Sequence, residues 1–178
     1  THSGKSDKTF AFVAHLDHPG MANDDLAGVA VGTQLFKRLQ RTQTKFSYKL
    51  ILLQEIIGSE YYLSQADKSN FFEGLFLEML GSKTPLALQA SQHGRSCLET
   101  TLKQVLRENG EVFNEGPFKS IVCNDEIVWE AYGIPMASLS RFPYPEYHCC
   151  KDNLSIISSK ALEKSLNILV QTIEKIEG

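Results

Sequence analysis

The sequence is most informative at first through what it lacks. In its 178 residues there is no apolar run near the ~18 residues that a membrane-spanning helix needs. Nor does a charged-then-apolar leader pattern open the chain. Basic residues are not in excess: 18 Lys and Arg stand against 21 Asp and Glu, for a formal net charge of −3. That balance argues against a nucleic-acid partner, which would ask for a basic face. Only four cysteines are present, too few for a disulfide scaffold, and two of them, Cys149 and Cys150, are neighbours that cannot easily bridge. A reducing, cytoplasmic compartment is the expectation. There are no internal repeats, low-complexity segments or linker-like stretches, so residues 1–178 are expected to form one domain.

What is there is a strict change of period. Residues 1–8 are polar and read as an exposed turn or arm. Residues 9–14 form a short apolar, β-favouring run, the mark of a strand buried on both faces. From Asp25 the apolar positions Leu26, Val29, Ala30, Thr33, Phe36 and Leu39 recur every three to four residues and predict a helix. Strands are then expected at residues 46–53, 74–80, 86–90 and 135–139. Helices are expected at 58–66, 97–107, 127–132 and 159–176, the last capped by Ser158 or Ser159. Apolar strands alternating with helices imply an α/β domain whose mostly parallel sheet is covered on both faces.

In open α/β sheets ligands bind beyond the carboxyl ends of the strands, and those ends are rich in metal-type ligands here. The first strand delivers His15, Asp17, His18, Asp24 and Asp25. The second delivers Glu55 and the third Glu78, and the loop after the last strand delivers Glu146, His148 and Asp152. Two imidazoles with several carboxylates suit zinc or a related divalent ion. Each residue also has a bland reading. Asp24 and Asp125 could cap helices, Glu78 could pair with a lysine, and Cys149 and Cys150 could be small buried residues of a loop. Arg95, Arg141 and Tyr147 are candidates for a substrate carboxylate or oxyanion, or are rim residues.

Read together, these segments resemble the zinc aminopeptidase superfamily, which includes bacterial leucyl aminopeptidase, glutamate carboxypeptidase and the glutaminyl cyclases. His15-Leu16-Asp17-His18 with Ala22-Asn23-Asp24-Asp25-Leu26-Ala27-Gly28 is similar to its first motif. Gln54-Glu55-Ile56-Ile57-Gly58-Ser59 and Leu77-Glu78-Met79-Leu80-Gly81 are similar to two more. Tyr147-His148-Cys149-Cys150-Lys151-Asp152 resembles a fourth. The nearest likeness is a poorly characterised aminopeptidase-like family with His-Pro, Asp-Glu and Tyr-Pro-Glu-Tyr-His segments.

The resemblance implies a three-layer α/β/α, zinc-exopeptidase-like fold and hydrolysis of an amide bond by metal-activated water, with one or two zinc ions. Asp24 takes the metal-bridging place, His15 and Glu78 complete one site, and His148 serves the other. Asp17 orients the His15 ring, and His18 competes with His15 as ligand. Glu55 is the general base or, if the alignment shifts by one residue, a ligand with Gln54 where the base belongs. The expected substrate is a peptide or aminoacyl small molecule. A glutaminyl-cyclase or deacylase activity, or an inactive binding domain, is the alternative. Relatives carry strands before the His-x-Asp strand. This chain is therefore expected to be a fragment of a longer protein with a sheet edge or apolar face open, and a second copy or a companion domain is the expected protein partner.

Overall fold

In a computed structural model the structure describes residues 1–178. Six strands form one sheet in the order β2-β1-β3-β6-β4-β5. They are β1 (Thr9–His15), β2 (Ser47–Leu53), β3 (Phe71–Leu77), β4 (Leu86–Gln89), β5 (Phe113–Gly116) and β6 (Met136–Ser140). β1, β2, β3 and β6 run parallel, β4 is antiparallel to β6, and β5 is parallel to β4. The expected mostly parallel, mixed sheet is what the chain forms.

Strand periodicity sorts the core into two layers, because successive side chains point to opposite faces. Phe10, Phe12 and Ala14 of β1 join the larger cluster with α1 (Gly28–Leu39), α3 (Cys97–Glu108) and α5 (Ser159–Glu177). Ala11 and Val13 join the smaller one, with Leu63 of α2 (Ile57–Gln65) and Trp129 of α4 (Glu126–Ala131). The result is the three-layer α/β/α arrangement. Ser158 caps α5, its hydroxyl accepting the Ala161 N–H at 3.3 Å.

Three expectations need correction. The N-terminal arm is docked: His2 forms an antiparallel bridge with Tyr48, and its Nε2 lies 2.9 Å from the Thr44 hydroxyl. The helix expected from Asp25 begins at Gly28, after an irregular turn over Ala22–Ala27 in which Asp24 and Asp25 have non-helical backbones. Asp24 caps nothing; Asp25 Oδ1 accepts the Gly28 N–H at 3.1 Å. Gly28 is there because a Cβ would collide with the Leu77 carbonyl and the Asp25 carboxylate. Finally, β5 escaped the sequence pattern, being four residues of an outer strand with a single apolar residue, Phe113.

The register sets up the site. His15 pairs with Leu53, and Leu77 with Leu139, so β1, β2, β3 and β6 end at the same edge. β4 runs the other way, so the loop that follows it, with exposed Arg95, opens at the opposite end.

Candidate metal centre

His15 is the last residue of β1 and is fully buried. The chain then turns through Leu16–Met21, bringing His18 back over the strand end. The next turn is clamped from the loop after β6. Asp152 accepts the N–H groups of Ala22, Asn23 and Asp24 at 3.0, 2.7 and 3.1 Å, and the Tyr144 hydroxyl at 2.6 Å. Asp25, also fully buried, accepts the N–H of His15 at 3.1 Å and of Met79 at 2.8 Å, stitching β1 to the end of β3. Asn23 Oδ1 accepts the Gly81 and Ser82 N–H groups. With their oxygens engaged by backbone, Asp25 and Asp152 hold shape and leave Asp24 as the free carboxylate.

Asp24 faces two imidazoles. His18 Nδ1 lies 3.5 Å from its Oδ1 and His148 Nε2 lies 3.1 Å from its Oδ2. One ligand atom each of His15, His18 and Asp24 fall within 4.8 Å of one another. Glu78 and His148 lie outside that group. Glu78 is fully buried, has no lysine partner, and takes the Asn124 side-chain N–H on Oε2 at 3.1 Å. Glu55 is about a third exposed, with Oε2 3.2 Å from His18 Nε2. Gln54 beside it is exposed. An open pocket of about 280 Å³, lined by His15, His18 and Asp25 with Leu16 and Leu26, gives access.

Two carboxylates differ from the sequence reading. Asp17 does not orient the His15 ring; its Oδ2 accepts the Glu55 N–H at 2.8 Å, across the gap between the ends of β1 and β2. The partner of His15 Nε2 is Asp125 at 2.6 Å, whose same oxygen accepts the Ile56 N–H at 3.1 Å. Asp125 therefore makes no helix cap. The polar triplet Asn124-Asp125-Glu126 before an apolar run was the available signal, and its resemblance to a cap hid the long-range role. Arg141 is a buried brace, donating to the Thr84 and Ala161 carbonyls and to Ser165. Tyr147 stacks on His148, ring centroids 3.9 Å apart. The turn at His148 (φ 53°) leaves Cys149 half-buried, with its thiol donating to the Glu146 carbonyl at 3.2 Å, and Cys150 exposed. Neither is the buried filler expected.

The electrostatics of the cluster are those of crowded acids. Burial pushes the Asp24 carboxyl up, moderated by His18, His15 and His148. Burial lifts Asp25 well above the usual range, and Glu78 likewise, with Glu126 and Asp25 adding repulsion. Burial opposes charge on His15, yet the hydrogen bond and charge of Asp125, with Asp25 and Glu55 beyond, hold it up at about 8. Burial raises the Tyr147 phenol to about 12, so it remains a proton donor at neutral pH.

With this geometry in place, comparison with known proteins identifies the family. A family model described as "Domain of unknown function (DUF4910)" matches residues 1–178. The chain belongs to this family. The DUF4910 chain is 28% identical to a provisionally named Clostridium acetobutylicum polysaccharide biosynthesis protein with an aminopeptidase-like domain, over 98% of this chain and 42% of that protein. A crystal structure of a provisionally named peptidase from the same organism has a TM-score of 0.93 and 27% identity, covering 98% of this chain and 43% of that one. The zinc aminopeptidase BSAP of Bacillus subtilis matches with a TM-score of 0.82 and 17% identity, over 99% of this chain and 47% of its own. The aminopeptidase of Aneurinibacillus sp. strain AM-1 gives 0.83 and 23%, over 96% and 44%. The DUF4910 chain thus has the aminopeptidase fold, and it spans less than half the length of these relatives. No helix is long and apolar enough to cross a membrane.

Proposed function

We propose that this DUF4910 domain is a zinc-dependent amide hydrolase of aminopeptidase type, acting on a peptide or aminoacyl small molecule. The observation that carries the reading is Asp24, buried and flanked at 3.1 and 3.5 Å by His148 and His18, at the shared end of four parallel strands. The residues suit a metal. A buried nitrogen of His15 and a buried oxygen of Glu78 have no hydrogen-bond partner in the protein, which leaves both available to an ion. Imidazole nitrogens with carboxylate oxygens are a zinc-type donor set.

Asp24, His148 and His18 or His15 would hold the ion, with Glu78 available to it. A bound zinc supplies an acidified water and polarises the scissile carbonyl. The remaining work belongs to the side chains. Glu55, partly exposed and 3.2 Å from His18 Nε2, accepts the water proton and passes it to the leaving amine. Asp17 holds the Glu55 backbone in place. The Tyr147 phenol, fixed by its stack on His148, donates to the developing oxyanion. Leu16 and Leu26, half exposed at the pocket, supply apolar surface for the substrate.

The test joins metal content and turnover. Protein prepared without chelator is expected to carry about one or two equivalents of zinc and to hydrolyse aminoacyl amides. His148→Ala is expected to lose both. A zinc-loaded protein that turns over none of a broad aminoacyl panel would instead mark the inactive binding domain, the reading that Gln54 in the usual base position favours.

A further inference from the structure

His15 and Glu78 share a pattern. Each is tied through one atom to the short segment that enters α4, and each leaves its other ligand-type atom free. Asp125 holds His15 Nε2 at 2.6 Å, and His15 Nδ1 has no partner. Asn124 holds Glu78 Oε2 at 3.1 Å, and Glu78 Oε1 has no partner. His15, Glu78 and Asp125 are fully inaccessible and Asn124 is 4% exposed. Each side chain is thus held in place by one atom while the other stays available to an ion at the strand ends. The same Asp125 oxygen also accepts the Ile56 N–H at 3.1 Å, one residue beyond Glu55.

We propose that Asp125 is the positioning carboxylate of the metal centre. It fixes the His15 ring with the proton on Nε2, leaves Nδ1 for the ion, and pins the backbone behind Glu55 to the same point. This rests on the metal-centre reading above. The physical logic is that a carboxylate on the far nitrogen of a ligating imidazole sets its tautomer and raises its basicity as a ligand. Asp17, two residues from His15, faces elsewhere: its Oδ2 accepts the Glu55 N–H and its Oδ1 lies 3.9 Å from His18 Nδ1. The orienting group is therefore supplied from a distant part of the chain, 110 positions away.

The experiment measures zinc affinity by chelator competition for wild type, Asp125→Asn and Asp17→Asn, with thermal unfolding of each zinc-free protein. Asp125→Asn is expected to bind zinc about 10–100-fold more weakly, the usual cost of losing an orienting partner. Asp17→Asn is expected to stay within about threefold of wild type, since Asp17 makes no hydrogen bond to the His15 ring and only a loose 3.9 Å approach to His18. Long-range ¹H–¹⁵N correlation on the zinc-loaded wild type is expected to show His15 protonated on Nε2, which needs no variant to fold. Equal zinc affinity in Asp125→Asn, or a His15 proton on Nδ1, overturns the proposal while leaving the metal centre standing. A wild type without measurable zinc affinity overturns the metal centre itself, and the proposal with it.

Discussion

Glu55 carries the sharpest consequence at the scale of single residues. Its carboxylate touches only His18, it is partly exposed, and neighbouring Gln54 points to solvent. If Glu55 moves the proton, Glu55→Gln keeps zinc and fold while turnover falls about 10²–10⁴-fold. Parallel metal analysis and an amide-hydrolysis assay check this; unchanged turnover removes Glu55 from the mechanism. The motifs named most of the residues that meet at this edge, because ligand chemistry restricts residue type and the strand ends fix their order. Their pairings were not legible. Asp17 stands two residues from His15, so proximity in sequence suggested the contact that Asp125 makes from across the fold. Which of two nearby carboxylates meets an imidazole depends on how β1, β2 and the entry to α4 are placed, and no local pattern encodes that.

At the scale of elements, the decisive piece is the irregular turn Ala22–Ala27, which presents Asp24 between the histidines. Its backbone has no regular ladder, so its N–H groups need acceptors from elsewhere. Asp152 supplies three of them from the loop that bears His148, so the two halves of the site are built on one another. Asp152→Ala leaves three buried donors and the Tyr144 hydroxyl without their acceptor. The expected loss is about 3 kcal/mol of stability, with unpaired buried groups costing roughly 1–3 kcal/mol each before water relieves some. Urea unfolding measures it, and zinc affinity is expected to fall together with stability. A variant as stable as wild type would show that the turn holds its own shape. The regular elements other than β5 were legible to within a few residues, since the 2.0 and 3.6 periods are written directly in their apolar positions. The turn read as the start of a helix, because Asp before an apolar stripe is also what a cap looks like.

At the scale of the whole molecule, the fold concentrates buried acids and one imidazole at a single sheet edge. Asp24, Asp25, Glu78 and Glu126 are all raised by burial, and His15 is held at about 8. Every one of these shifts has the same sign. Each group binds its proton more tightly in the folded chain than in the unfolded one. The stabilisation is complete below the unfolded values, about 4 for the carboxyls and 6.5 for histidine, and is lost as pH rises through the folded ones. Metal-free protein is therefore expected to lose stability as pH rises from the carboxylate range, about 4, to about 8. Zinc should offset that loss by taking the place of the protons. Urea titrations in chelator and in zinc, at several pH values, would show it; stability that rises with pH in chelator runs against this account.

The central claim is that the edge formed by β1, β2, β3 and β6 is a metal centre organised around Asp24. The most direct measurement is anomalous scattering at the zinc edge from crystals grown with zinc. A peak bonded to Asp24 and His148, and to His15 or His18, is the expected result. Well-ordered crystals with no peak at Asp24, or with zinc only at exposed surface residues, would contradict it.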